Sequence, residues 1–408
     1  MHKNHTKKHI AIVVQNLHNG GAERMAANLS AELAKYYEVY LIVFDAADAI
    51  YPYGGKLIDL KVPPLQEGSV PQRVWNSLSR IRKLRYLKKR LKIDATISHM
   101  DGANLVNILS DMGDRRISVY HSMPSFETTD AFADRMLQRA IGHCSDRYLV
   151  VSGPALQDMH RNFGVPLDKL QCIYNFVDIP KAHQMMAEAL PQETVDFYQR
   201  HDKVIVHAGR LIPLKAQQRL IRILGGFRAQ GKNVSLVLLG EGEERGKLEE
   251  CVRKTGVEDH VLMPGEVRNP FPYFKHADVF ALCSVYEGLP MVLIEALACG
   301  CPVVSLDMPS GAREILAPDT DVTQTAQEIE YAKYGILTPP YREVPQDSAE
   351  NAEAERTDTW AEGKLARALE EMLYRQEIRQ KYLSSCAEAA AAFSEERIIA
   401  QWRELIEG

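Results

Sequence analysis

The chain has 408 residues, 46% of them apolar and 25% charged. That is the balance of an ordinary globular protein, and it excludes a disordered tail, a collagen-like fibre and a coiled-coil rod. The net charge of −5 is unevenly spread: residues 1–190 carry 24 Lys and Arg against 19 Asp and Glu, and residues 191–408 carry 25 against 35. A basic front half and an acidic back half point to different partners for each.

At roughly 100–200 residues per domain, a chain of this length is expected to form two domains. The seven cysteines are scattered, and only Cys299 and Cys301 lie close together, in a C-x-C spacing that is neither a zinc nor a thioredoxin pattern. Reduced thiols in a cytosolic protein are the expectation. The basic start, Met1 to Lys8, is followed by an apolar run of only Ile10 to Val14, too short for the core of a signal peptide. No stretch approaches about 18 uninterrupted apolar residues, so no membrane-spanning helix is expected.

Strands are expected at His9–Val14, Val39–Phe44, Ala95–His99, Ser118–His121, Tyr148–Ser152 and Leu170–Asn175. Amphipathic segments such as Ala22–Lys35 and Arg73–Leu91 separate them. The pattern restarts with Val204–Ala208, Val234–Leu239, Val261–Met263, Val279–Cys283, Val303–Leu306 and Gly335–Leu337. Strands alternating with helices imply right-handed crossovers and a parallel sheet, here twice over. The break falls in the polar stretch 180–202. Residues 316–362 hold eleven acids and read as a solvated insertion.

Ligands of open parallel sheets bind beyond the carboxyl ends of the strands. The first strand runs into Asn16 and then Asn19-Gly20-Gly21-Ala22-Glu23-Arg24, a turn that is either an anion-accepting loop or an ordinary strand-to-helix connection. His99 and His121 each close a strand. In the second series Gly209-Arg210 ends a strand and Lys215 precedes the next helix. Two cations there oppose the helix dipole, which favours an anionic ligand between them. Gly240-Glu241-Gly242 resembles a dinucleotide loop, but Gly246 comes one place too late for G-x-G-x-x-G, which argues against a nicotinamide site. Next come Ser284-Val285-Tyr286-Glu287-Gly288-Leu289-Pro290 and, after a gap of seven residues from Glu287, Glu295. Pro290 suits a helix start. Glu295 stands among Val292, Leu293, Ile294, Ala296 and Leu297, too apolar a stretch for a routine surface acid. Two carboxylates at different depths fit the hydroxyls of one ligand.

This E-x7-E segment, with Gly209-Arg210-Leu211 and Lys215, Asn16 with the Gly-Gly-Ala-Glu-Arg loop, His121-Ser122 and Asn175 with Asp178, resembles glycosyltransferase family 4, retaining enzymes of the GT-B fold. The resemblance covers most of the chain. It implies an α/β protein of two Rossmann-like doubly wound domains facing each other across a cleft. Residues 1–185 would bind the acceptor and 200–385 the nucleotide sugar, with 386–408 crossing back to the first domain as a C-terminal helix.

The same resemblance implies roles. Arg210 and Lys215 would hold the donor diphosphate, Glu287 the sugar hydroxyls and Glu295 the ribose. His121 would contact the sugar near the reacting carbon, and Gly20 and Gly21 would allow close approach there. Gly240, Gly242, Gly288, Leu289 and Pro290 would line the donor site, and Gly265, Glu266 and Val267 would border the base. Asn16, Glu23, Arg24 and His99 would face the acceptor. Cations and helix amides suit a departing diphosphate without metal. The only D-x-D, Asp319-Thr320-Asp321, reads as solvent-facing. No cofactor and no metal are expected beyond the nucleotide sugar itself.

Residues 72–92 contain nine Lys and Arg and no acid. Val74, Leu78, Ile81, Leu84 and Leu91 recur at helical spacing, with Trp75 alongside, as in a helix that packs one stripe and offers cations elsewhere. Arg80, Arg82, Lys83, Arg85, Lys88, Lys89, Arg90 and Lys92 are the expected contacts with anionic lipid or a lipid diphosphate; a solvated helix face is the plainer reading. Nucleic acid is not expected, because no reading module accompanies the charge. The expected activity is transfer of a hexose or N-acetylhexosamine from a UDP-sugar to a growing glycan, by a cytoplasmic protein peripheral at the inner membrane face. A sugar-nucleotide epimerase of the same fold and a non-catalytic membrane-docked scaffold for glycan assembly are the alternatives.

Overall fold

The computed structural model describes residues 7–18, 20–47, 49–63, 70–127, 144–341 and 359–408. Residues 1–6, Asn19 and 342–358 of the expected insertion lie outside them. The chain forms two compact units, one of Met1–Asn175 with Glu396–Gly408, the other of Phe176–Glu395.

The first unit is a seven-stranded sheet of β1 (His9–Val14), β2 (Glu38–Val43), β3 (Lys56–Asp59), β4 (Ala95–His99), β5 (Arg115–Tyr120), β6 (Arg147–Val150) and β7 (Leu170–Cys172). Its order is β3-β2-β1-β4-β5-β6-β7 and every pairing is parallel. Helices on both faces bury central strands completely, so β1 reads as an unbroken apolar run and Ile10 to Val14 are closed to solvent. The order reverses between β1 and β4, the place where a doubly wound sheet opens at its carboxyl edge.

The final helix, Glu395–Glu407, buries Ile398, Ile399, Trp402, Leu405 and Ile406, one stripe at helical spacing. Its last carbonyls are held by first-unit cations: Lys8 Nζ donates to Ile406 O at 2.9 Å and Arg115 to Leu405 O at 2.6 Å. Cations at a helix C-terminus complement both the unpaired carbonyls and the dipole. Tyr37 adds a bond to Glu407 at 2.8 Å.

The second unit has β8 (Lys203–Ala208), β9 (Val234–Leu239), β10 (Val261–Gly265), β11 (Val279–Leu282), β12 (Val303–Leu306), β13 (Glu330–Tyr331) and β14 (Ile336–Thr338). The order is β10-β9-β8-β11-β12-β14-β13, parallel except for the β13–β14 pair, with the reversal between β8 and β11.

Three boundaries differ from expectation. The second unit begins at Phe176, short of residue 185, because the helix Ile179–Met185 packs on the second unit's helix Met291–Ala298. The return to the first unit begins at Glu396, later than 386, because Gln376–Ala391 also packs on Met291–Ala298. The span 316–362 is not wholly an insertion: β13 and β14 complete the second sheet. Glu330 accepts from the buried Arg313 at 2.7 Å, and Arg313 also binds Asp307.

Candidate functional site

Backbone bonds first draw three strand ends of the second unit together. Gly209 N donates to Leu239 O at 2.9 Å, Leu211 N to Glu241 O at 2.8 Å and Gly240 N to Gly265 O at 2.8 Å. The loops after β8, β9 and β10 therefore run side by side. A Cβ at Gly240 would stand 2.1 Å from Gly209 O, and one at Gly242 would stand 2.3 Å from Leu211 O. The close approach these glycines permit is to the neighbouring loop of the chain itself. Glu241 lies between them and pairs with Arg245 at 2.5 Å. Gly265 is buried, Glu266 exposed and Val267 half-buried beside this seam.

Arg210 projects from that seam. Its carbonyl accepts from Gln217 at 2.8 Å. Its side chain is exposed and pairs with no carboxylate among the described residues. Lys215 closes the turn Pro213–Lys215, which is tied to the end of β11 by Val285 N to Leu214 O at 2.9 Å and by the Cys283 thiol to Lys215 O at 3.2 Å. The next residue, Ala216, is buried in left-handed backbone with φ +52°, a conformation that disfavours a side chain. The turn delivers Lys215 Nζ onto Glu287 Oε1 in a partly buried ion pair. Ser284 Oγ donates to the same oxygen at 2.7 Å. Lys215 and Glu287, from separate elements, are thus joined.

The Glu287 loop is clamped from β12. Ser310 Oγ donates to Gly288 O at 2.5 Å. Gly311 has φ +76°, and a Cβ there would fall 2.5 Å from Pro290 Cδ, so only glycine lets the two loops meet. Leu289 is buried, Pro290 directly precedes the helix Met291–Ala298, and Glu295 is buried within it. Asp307 is committed elsewhere, to Arg313 and to Ala326 N, and so holds the fold.

His207, which the sequence reading passed over, also lies at this edge. It is fully buried in β8, with Nδ1 2.9 Å from Ala281 O. Its signal was a lone polar residue closing the apolar run Val204-Ile205-Val206.

In the first unit, His99 and His121 come together: His99 Nδ1 is 2.9 Å from His121 Nε2 and the rings stack at 5.2 Å. Burial pushes His99 well below its usual range, and the neighbouring His121 adds to the shift. His121 is pushed down to about 4 by burial. Both rings are therefore neutral near pH 7. Gly20 caps the helix Gly21–Leu33, and the Glu23 carboxylate folds onto it, only 1.8 Å from where a Gly20 Cβ would be. The negative end expected of a ligand is thus partly supplied by Glu23. Gly21 has open space around it, Arg24 N bonds back to Gly20 O at 3.1 Å, and Asn16 Oδ1 accepts from His18 N at 3.2 Å.

The basic helix spans Val70–Leu91. Leu84 is buried and Ile81, Leu87 and Leu91 pack against the same core. Lys88 is not a surface cation: its ammonium is 2.9 Å from Asp114, both side chains closed to solvent, and it donates to Asn107 Oδ1 at 2.7 Å. Arg80 and Lys83 are partly spent on the carbonyls of Val62, Pro63 and Leu60. Arg82, Arg85, Lys89, Arg90 and Lys92 are exposed. Val74, Trp75 and Leu78, expected on the packed side, are exposed instead, Trp75 at 67%. Among the described residues no helix is long and apolar enough to cross a membrane. Asp319 and Asp321 are exposed; Asp319 pairs with Lys333 at 3.2 Å and Asp321 caps its own turn at Thr323 N.

Two family models match in sequence. That for glycosyl transferases group 1 matches residues 195–333, and that for Glycosyltransferase Family 4 matches residues 19–181. The chain is 35% identical over 243 residues to an uncharacterised glycosyltransferase of Methanocaldococcus jannaschii, an alignment spanning 59% of this chain and 58% of that relative. It is 29% identical over 328 residues, 76% of this chain and 84% of the relative, to a Campylobacter jejuni enzyme. That enzyme is the N-acetylgalactosamine-N,N'-diacetylbacillosaminyl-diphospho-undecaprenol 4-alpha-N-acetylgalactosaminyltransferase. In fold it is similar to Anabaena HepE, solved with UDP and glucose, with a TM-score of 0.71 at 19% identity over 98% of this chain and 99% of HepE.

Proposed function

We propose that this chain, which belongs to the GT-B glycosyltransferases, moves a hexose or N-acetylhexosamine from a UDP-sugar to a glycan acceptor carried on a lipid diphosphate, with retention at the transferred carbon. The observation that carries the donor half of this reading is the Lys215–Glu287 pair beside the unpaired Arg210 at the β8–β11 switch point. Cleaving a sugar–phosphate bond builds negative charge on the departing diphosphate. Arg210 and Lys215 are the cations at the place where that charge would collect. Once Lys215 turns to the diphosphate, Glu287 is released to accept from sugar hydroxyls while Ser284 keeps its orientation. Glu295 would take the ribose, and Gly265, Glu266 and Val267 would border the base.

The two cations also support a metal-independent reaction. The neutral His99–His121 pair supports a sugar-facing role for His121 in the first unit, because a neutral imidazole can contact a hydroxyl without neutralising the diphosphate. Gly20, Gly21, Asn16, Glu23 and Arg24 would serve the acceptor side. The preference for a lipid-linked acceptor draws on the acceptor in the Campylobacter relative's name, and that for UDP on the ligand of HepE. Docking at an anionic membrane is supported by the exposed Arg82, Arg85, Lys89, Arg90 and Lys92 next to Trp75 and Leu78. A panel of nucleotide sugars scored for nucleotide release, with and without a lipid-diphosphate glycan and with and without chelator, tests the reading. Release from a UDP-sugar that requires the acceptor and survives chelation is expected. Turnover of UDP-N-acetylglucosamine with no acceptor would favour an epimerase instead.

A further inference from the structure

We infer that His207 is a positioning residue of the diphosphate subsite: its Nε2 lone pair receives the Lys215 ammonium when ligand hydroxyls take over Glu287. The inference rests on the donor-site reading above.

The tautomer follows from geometry. Parallel pairing of β8 with β11 runs through Ile205–Val279 and Val206–Phe280. The next β11 carbonyl, that of Ala281, meets the His207 ring at Nδ1, 2.9 Å away. A carbonyl only accepts, so Nδ1 carries the proton and donates it. The ring is held neutral, with burial pushing it down from 6.5 to about 4. Nε2 is therefore an unprotonated acceptor. It is closed to solvent and without a partner. Phe280 stacks on the ring at 6.1 Å and 22°, which fixes its plane. A buried ring nitrogen left without a donor is costly, so this acceptor calls for an occupant.

Lys215 is a proton donor on the other side of a small gap. A Cβ built on Gly209 would lie 3.6 Å from His207 Nε2 and 3.7 Å from Lys215 Cε, so both flank the gap that Gly209 leaves empty. The charges of Lys215 and Glu287 both reach the ring. An ammonium has three N–H donors, and Glu287 takes one of them here. A neutral acceptor on the strand would hold the lysine toward the diphosphate without cancelling its charge, which a second carboxylate would do.

The test compares wild type, His207→Phe, His207→Gln, Lys215→Met and the His207→Phe/Lys215→Met double variant. Each is measured for thermal midpoint, UDP affinity by calorimetry, and kcat and KM for the best UDP-sugar. His207→Phe is expected to stay folded while weakening UDP binding and kcat by about tenfold, the scale of one charge-assisted hydrogen bond. His207→Gln, which restores an acceptor oxygen, should recover most of kcat. The double variant should match Lys215→Met alone, because His207 acts through Lys215. Wild-type kinetics in His207→Phe, failure of that variant to fold, or additive losses in the double variant would each overturn the inference alone. A wild type that binds no UDP overturns the donor-site reading, and this inference falls with it.

Discussion

Lys88 and Asp114 form an ion pair at 2.9 Å with both side chains sealed inside the first unit. Thr96 and Asn107 complete the group, Thr96 Oγ1 donating to Asp114 at 2.6 Å. The pair fixes the rotation of the basic helix, and so decides which cations remain outside. Removing one partner strands a buried charge, which costs about 3–5 kcal/mol. Lys88→Met and Asp114→Leu are each expected to lose stability on that scale in urea unfolding, and the double substitution to recover much of it. Equal losses in all three would show that the pair is not a coupled unit.

Membrane docking should depend on the other side of that helix. Replacing Arg82, Arg85, Lys89 and Arg90 with Gln is expected to abolish flotation with phosphatidylglycerol vesicles and to leave the unfolding midpoint unchanged. Trp75→Ala should weaken flotation in part, since it removes exposed apolar area without charge. Flotation equal to wild type in the quadruple variant would remove the docking proposal.

Gly240 holds two loops in contact. Its φ of +136° and the 2.1 Å approach to Gly209 O leave no room for a side chain. Gly240→Ala is expected to cost about 2 kcal/mol or more and to lower transfer by displacing the Arg210 loop. Urea unfolding and steady-state rates check both halves. A stable variant with normal transfer would mean the loops can part freely.

Two buried neutral histidines, His99 and His207, predict an acid weakness. Burial holds both below 6.5, His207 near 4, while the unfolded chain titrates normally. A group with a depressed folded pKa favours the fold fully above the unfolded value. That contribution is then lost as pH falls from 6.5 toward 4. Stability should decline over that window, and His207→Phe should make the decline shallower, even with Lys215 and Glu287 retained. An unchanged slope would contradict the assignment of His207 as neutral and buried.

Much of this architecture was legible because parallel strands covered on both faces leave unbroken apolar runs, as in Ile10–Val14 and Leu236–Leu239. Two of the edge strands leave no such mark: Lys56–Asp59 and Glu330–Tyr331 are short and largely polar, and went unseen. Arg210, Lys215, Glu287 and Glu295 were named from strand-end position and family resemblance. What sequence spacing could not supply was commitment to a partner. Glu241 turned out to serve Arg245, Asp307 to serve Arg313, and Glu23 to fold onto Gly20. Lys88 was misassigned although its spacing was informative, because it stands four residues after Leu84 and three before Leu91, on the buried stripe. Its sign of charge outweighed its position, and Asp114, the residue that makes burial tolerable, is distant in sequence.

The central claim is that Arg210, Lys215 and Glu287 together grip an activated sugar. It is tested most directly by acceptor-dependent UDP release from the preferred UDP-sugar, compared among wild type, Arg210→Ala and Glu287→Ala at matched folding. Each substitution is expected to cut kcat/KM by about tenfold or more, the loss typical when one transition-state contact is removed. Wild-type rates in both folded variants would contradict the account.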